Sequence, residues 1–444
     1  MAAHYRRIAD YLRRGIGTRR PDDEGLRLRA RRAAAPPPHV PGGCALTDEA
    51  VSERWALPGM PAASRQELAD PHTRGQREAY TRTIENFIGT VKVPVGLAGP
   101  LRVNGLHANG DFYVPLATTE AALVASYSRG AQLMTDAGGC TAMVLNEGVS
   151  RAPAFAFETL ADAARFARWA SRSFDAFCAA ARETTEHGQL VDMRLAVEGN
   201  HVYLIFEFLT GDAAGQNMAT IAADAICRYI EAHTPIPWRH WFVEGNLSGD
   251  KKATMQSLMG VRGRKVSAEV VLPPALIEER LHTTAGTMLD YWRMSVVGGV
   301  LSGSIGVQGH YANGLAAMFI ACGQDAACVA EASVGVTRFE PSDDGGLYAA
   351  VTLPNLIVGT VGGGTRLPSQ HACLDIMGLA GPGHARAFAE VAAAVALAGE
   401  LSITAALAAG DFTRAHQRLA RAAGAQQGTP AYAPNGRSRG EGGR

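Results

Sequence analysis

The chain has 444 residues, 47% of them hydrophobic and 19% charged, with 42 basic residues against 42 acidic ones and a formal net charge of zero. That length exceeds a single core and calls for two or three domains, and the charge balance argues against a general polyanion or nucleic-acid binder. Seven scattered cysteines (Cys44, Cys140, Cys178, Cys227, Cys322, Cys328, Cys373), odd in number and free of CxxC pairs, indicate neither a disulfide framework nor a zinc site; no metal is expected, and a reducing cytoplasm fits.

In chain order, residues 1 to about 43 are arginine-rich and end in a proline run, which predicts a short helical arm and a linker, with residues 1–70 as an N-terminal arm region. The first fifteen residues are basic but lack the apolar core of a signal peptide. No run of about 18 uncharged apolar residues occurs anywhere, so no membrane association is expected. From Glu85 the chain is rich in Gly, Val and Pro, and then turns helical from Thr119 with small residues suited to close packing. Residues 155–185 predict an amphipathic helix carrying Phe166, Trp169, Phe174 and Phe177, 201–209 a strand, and 213–232 a second helix, together a small inserted domain. The apolar stretch from Phe388 to Ala409, interrupted by Glu390 and Glu400, predicts a buried helix. Residues 424–444 have the composition of a disordered tail.

Only four lysines occur, Lys92, Lys251, Lys252 and Lys265, and two stand together in Asp250-Lys251-Lys252. A chain that uses arginine for its ordinary surface cations keeps lysine where a compact, orientable ammonium is needed, for example to hold an oxyanion; a solvated loop with chance charges is the plain alternative. The glycine run Gly359 to Thr365 matches no dinucleotide or phosphate-loop pattern and reads by itself more readily as a tight turn than as a ligand cradle. Asp212, in the Gly211–Met218 segment, lies where a strand gives way to a helix whose free amides could meet a phosphate, or is an ordinary cap. Glu120 opens an apolar helix, where a first-turn acid complements the helix dipole. Asp325 sits among small apolar residues, which predicts burial with a partner. His416 shares a helical face with Phe412 and Leu419, a placement common for a core histidine.

Taken in order, the segments ENFIGTVKVPVGLAGPL, ATTEAALVAS, GDAAGQNM, EGNLSGDKK, GQDAA, GTVGGGT and LAGELSITAALAAG resemble hydroxymethylglutaryl-CoA reductase, in its first, eukaryotic-type class, from about Glu85 to Ala423. The resemblance implies an α/β fold: a large catalytic domain (71–151 and 242–423) with a small ferredoxin-like, NADP-binding domain inserted at 152–241. It implies an NADPH-dependent, four-electron reduction of the thioester to mevalonate with release of coenzyme A. By motif, Lys251 polarises the thioester carbonyl, Asp325 aims it, Glu120 supplies a proton and His416 protonates the leaving thiolate. The nucleotide falls to Asp212, Gly215, Gln216, Asn217, Gly362, Gly363, Gly364 and Thr365; the substrate falls to Arg129, Arg151, Asp250, Lys252 and Asn313. A homodimer or homotetramer with active sites at the subunit interface is also implied.

Three departures from the family pattern cluster at the acyl end of the substrate. Glu244 stands where a small hydroxyl residue is usual, no lysine follows Lys265, and the segment Ser304–His310 is one residue short. A related reductase of another acyl-CoA or carrier-bound thioester therefore stands beside the parent activity. A catalytically silent nucleotide- or CoA-binding homologue is the alternative of another class, and the joint presence of Glu120, Lys251, Asp325 and His416 speaks against it.

Overall fold

The computed structural model describes residues 38–410, Arg82 excepted. The expected N-terminal arm therefore lies largely outside the described residues, as do His416 and the expected disordered tail. The chain divides into two compact units, one up to Thr90 and one from Val91 onward.

In the first unit, Thr47 caps the helix Asp48–Trp55 by accepting from the Ala50 amide. This helix contributes Val51 and Trp55 to a small core with Leu46 and Phe87. Arg54 is buried there and offers its guanidinium to the carbonyls of Pro41, Gly43, Ala45 and Phe87, which is how a buried cation is satisfied without a carboxylate. Within the region expected as N-terminal arm and linker, Asp48–Trp55 and Ala62–Leu68 are helical, and the helix Pro71–Gly75 follows it.

The second unit is a mixed α/β structure built on ten connected strands: β1 (Val95–Gly105), β2 (Asn109–Ala117), β3 (Cys140–Arg151), β4 (Ala154–Ala156), β5 (Gln189–Glu198), β6 (His201–Leu209), β7 (His240–Phe242), β8 (Gly263–Leu272), β9 (Val336–Pro341) and β10 (Leu347–Leu356). β3 joins two regions. Its first part, through Gly148, pairs with β8, whereas Val149 to Arg151 pair with β6. Period-two alternation is clear in β8, where Val266, Ala268, Val270 and Leu272 turn to the core, and in β10 with Leu347, Ala349, Val351 and Leu353. These residues belong to a large cluster around the helix Ala385–Ala408. That helix has the length and composition to cross a membrane, but nearly all its residues are buried inside the protein. Its alanines let neighbours approach closely: a Cβ on Gly130, in the helix Leu123–Asp136, would lie 2.0 Å from the Ala398 carbonyl oxygen.

A second, separate cluster covers Val149 to Ile236 and packs the helices Leu160–Ala170, Phe174–Arg182 and Gln216–His233 on β4, β5 and β6. The single helix expected over 155–185 is two helices. Residues Ser171 to Ser173 break it, with Ser171 and Ser173 turning their hydroxyls onto the Arg168 and Trp169 carbonyls. Both faces of the break still deliver Phe166 and Phe177 to one core.

Candidate active site

The segment after β7, from Glu244 to Lys252, has no regular secondary structure until Thr254 and Ser257 form a capping box that opens the short helix Met255–Met259. Within the segment, Lys251 has φ +57 and Asn246 φ +63, a conformation costly for residues with a Cβ. Ala122, two residues after Glu120, has φ +72. Among the described residues, three of the five non-glycine residues with positive φ thus lie at or near candidate catalytic positions, where surrounding contacts hold a strained backbone.

Those contacts are visible around Lys251. Its amide donates to Glu331 Oε1 at 3.2 Å, and its ammonium lies 2.9 Å from Asp325 Oδ2. Asp325 also accepts from the Ala327 amide as the cap of a short 3-10 turn. The hydrogen bond that Lys251 donates to Asp325, aided by the carboxylate's charge, raises the Lys251 ammonium above its usual range. Asp325 is itself pushed up by partial burial, but the Lys251 and Ala327 hydrogen bonds outweigh that and hold its carboxyl below the usual range. The expected partner is present; the expected burial is not, because both side chains are roughly two-fifths exposed.

Behind this pair lies a buried network that the sequence did not announce. Arg262 and Glu331 are fully buried and joined by two short hydrogen bonds of 2.5 and 2.6 Å. Arg262 also pairs with Asp250 at 2.9 Å, and Arg151 pairs with Asp250 at 3.2 Å and with Glu244 at 3.4 Å. Desolvation pushes the Glu331 carboxyl up although Arg262 opposes it. Lys252 turns back to donate to the Asp250 carbonyl.

A pocket of about 420 Å³ opens on the Lys251–Asp325 pair. One wall is Ala213 to Met218 at the start of the helix Gln216–His233, where no side chain caps the free amides; the other is Gly359 and Val361 to Thr365. Gly323 and Gly364 meet backbone to backbone: a Cβ on Gly323 would sit 2.3 Å from the Gly364 oxygen. The glycines therefore close the floor of the pocket while keeping amides within reach of a ligand. Gln216 donates to Cys328 Sγ at 3.1 Å, tying the helix start to the Asp325 turn. Asp212 does not line this pocket. Its carboxylate accepts from the Gly383 and Ala385 amides and so caps the helix Ala385–Ala408, not the helix that follows it in sequence.

Glu120 belongs to a different group. It precedes the helix Leu123–Asp136 rather than opening it, is exposed, and accepts from Asn313 Nδ2 at 2.8 Å. Beside it is His310, a residue noted in the sequence only for a shortened loop. Tyr127 stacks on its ring at 5.0 Å and donates to its carbonyl, while buried Glu400 accepts from the Gly309 and His310 amides. Burial lowers the His310 imidazole and the Glu120 charge opposes that; its Nδ1 is buried without a hydrogen-bond partner among the described residues. No hydrogen bond or ion pair between described residues joins Glu120 to Lys251 or Asp325, and the charges that act on Lys251 are those of Asp325, Cys328 and Asp250. Arg129 packs against the central helix, donating to the Ser402 hydroxyl and carbonyl. No cluster of His, Cys, Asp and Glu suited to a metal is present among the described residues.

Comparison with known proteins adds the following. A family model described as hydroxymethylglutaryl-coenzyme A reductase matches residues 50–421. A 3-hydroxy-3-methylglutaryl-coenzyme A reductase of Pyrococcus horikoshii is 44% identical over 352 residues, covering 78% of this chain and 85% of the relative. Its counterpart in Methanothermobacter thermautotrophicus is 42% identical over 386 residues, covering 86% and 95%. Among solved structures, a class II 3-hydroxy-3-methylglutaryl-CoA reductase of Streptococcus pneumoniae, described as bound to NADPH in open conformations, shares the fold with a TM-score of 0.61 at 19% identity, covering 78% of this chain and 95% of that one.

Proposed function

The chain belongs to the hydroxymethylglutaryl-coenzyme A reductase family, and from that premise we propose that it reduces hydroxymethylglutaryl-CoA to mevalonate with two equivalents of NADPH and releases coenzyme A. The observation that carries the proposal is the Lys251–Asp325 ion pair standing at the mouth of a glycine-walled pocket. The class is taken at the level of the family. The eukaryotic-type label read from the motifs is not supported, since the high-identity relatives are archaeal and the solved neighbour is of class II.

The pocket fits a dinucleotide. Free amides at the Gln216–His233 helix start suit a phosphate, and Gly362 and Gly363 leave open space above their backbones. Gly215, Gln216, Asn217 and Gly362 to Thr365 would hold the group, and when bound it supplies hydride. The rest falls to the chain's own residues. The Lys251 ammonium donates to the thioester oxygen as negative charge develops there, with Asp325 keeping it protonated and aimed. Glu120, steadied by Asn313, gives a proton to the alkoxide of the second reduction. His416 is assigned the protonation of the departing thiolate. Arg151, Asp250, Lys252 and Asn313 contact the acyl group, and Arg129 the CoA end.

We also read residues 152–241 as the inserted nucleotide-binding domain, which the separate core from Val149 to Ile236 supports. A subunit-interface active site accounts for the lack, among the described residues, of any bond between the Glu120 and Lys251 groups. The exposed apolar face of the helix Ala285–Ser302, with Met294, Val297, Val300 and Leu301 each more than half exposed, supports a homo-oligomer. A cytoplasmic location is part of the reading, supported by seven cysteines that are all free. The test is direct: Lys251→Ala and Asp325→Asn should each lower kcat by about 100-fold or more, the range for removing a fixed oxyanion donor, with circular dichroism unchanged. Near-native turnover in either variant would refute the assignment.

A further inference from the structure

Unsatisfied buried polar atoms are rare and call for an explanation. Seven such side-chain atoms occur among the described residues, and five belong to Arg151, Glu244, Asp250 and Arg262. Around Arg151 the unmet atoms are of both kinds, the donor Nε of Arg151 itself and the acceptor Oε1 of Glu244, whereas Asp250 Oδ1 and Arg262 Nη2 lie 2.9 Å apart as an ion pair. Glu244 reaches this place because the Gly245 amide bonds the Ala152 carbonyl at 2.7 Å, setting residues 244 and 152 side by side. Its other oxygen accepts from the Ala152 amide at 3.3 Å and lies 3.4 Å from the Arg151 guanidinium.

The charges decide what can enter. Arg151, Arg262 and Lys251 are ion-paired with Glu244, Asp250, Asp325 and Glu331, three cations against four carboxylates, and exposed Lys252 turns its ammonium onto the Asp250 backbone carbonyl. The paired carboxylates already match the buried cations, so an incoming carboxylate finds neither Arg151 nor Arg262 uncommitted. It also cannot satisfy Glu244 Oε1, because an ionised carboxylate only accepts. A neutral hydroxyl both donates and accepts, and so matches the unmet atoms of both kinds.

We propose that Glu244 is a specificity-determining residue: it occupies the arginine that a substrate carboxylate would take, so carboxylate-ended acyl thioesters bind only by displacing it, whereas acyl groups ending in a neutral hydroxyl bind without that cost. This rests on the thioester-reductase reading, in which Arg151 meets the acyl end. The clashing element is an internal anion, a form of discrimination by repulsion rather than by added contact.

The test compares two CoA thioesters, hydroxymethylglutaryl-CoA and the analogue in which a hydroxymethyl group replaces its distal carboxylate. Their dissociation constants are measured by calorimetry without nucleotide, for the native protein, Glu244→Gln and Glu244→Ser. Both substitutions should tighten the carboxylate ligand about tenfold or more relative to the hydroxymethyl one, the scale of removing one close like charge. KM for hydroxymethylglutaryl-CoA should fall accordingly, with kcat little moved. An unchanged affinity ratio in both variants overturns the proposal. If neither thioester is reduced with NADPH while the ratio still shifts, the reductase reading fails and the role of Glu244 stands.

Discussion

Lys251 is controlled from two sides: Asp325 fixes its ammonium and the Glu331 carboxylate fixes its strained backbone. The pH consequences follow from the shifts. Lys251 is raised above 10.5, so its contribution to stability is present below that value and is lost as pH rises through the higher folded one; Asp325 is lowered below 3.8, so its contribution is present above that value and is lost as pH falls through the lower folded one. Between those limits the pair stays ionised. Asp325→Asn removes the bond and the charge that hold Lys251 up, so any alkaline limb of kcat set by this lysine should move to lower pH in that variant; a pH–rate profile checks it, and an unmoved limb would separate the lysine from the chemistry. The adjacent lysines were legible as unusual because lysine is scarce here. Glu331 and Arg262 were not, since two ordinary charged residues far apart in sequence reveal their pairing only when folding buries both. His310 was similarly hidden, with only a histidine at a helix start to mark it.

Among the elements, the Ala385–Ala408 helix positions the site more than any other. Glu400 on it accepts from the Gly309 and His310 amides and from Thr337, fixing the segment that leads to Asn313 and hence to Glu120. Glu400→Ala leaves two backbone amides and a hydroxyl without their acceptor, and should cost about 2–5 kcal/mol of stability, seen as a lower urea midpoint. The same helix meets Leu123–Asp136 at Gly130. Gly130→Val drives a branched side chain into the Ala398 carbonyl and should destabilise by about 1–3 kcal/mol or more; a thermal midpoint within a degree of native would contradict this packing. The strand at 201–209 and the long helix were readable because their apolar runs survive in the sequence, the helix broken only by Glu390 and Glu400; the alternating strands, β8 and β10 among them, were not read. The break at Ser171 to Ser173 was not, because the aromatic residues on either side keep a helical spacing across it. The cross-connection of Asp212 to the Ala385–Ala408 helix was equally invisible, a cap that only tertiary structure can supply.

For the whole molecule, the division of catalytic residues into a Glu120 group and a Lys251 group carries its own prediction. If one active site takes Glu120 from one subunit and Lys251 from another, mixing inactive Glu120→Gln and Lys251→Ala proteins under subunit exchange should restore activity toward about a quarter of native, the statistical yield for a twofold dimer. Absence of any recovery after verified exchange would place both groups in one chain. Replacing Val300 and Leu301 by glutamate should separate the subunits in analytical ultracentrifugation, because both present apolar surface to the outside of the described structure. The α/β class was legible through the family resemblance that the motif order carries. How one sheet passes into the other through β3 was not, since a single strand with two partners looks like any other strand. The central claim, four-electron reduction of hydroxymethylglutaryl-CoA, is tested most directly by incubating the purified protein with that thioester and NADPH and counting products. Two nucleotides oxidised and one coenzyme A thiol released for each mevalonate formed is the predicted result; no thiol release or mevalonate from a folded, nucleotide-binding protein would contradict it.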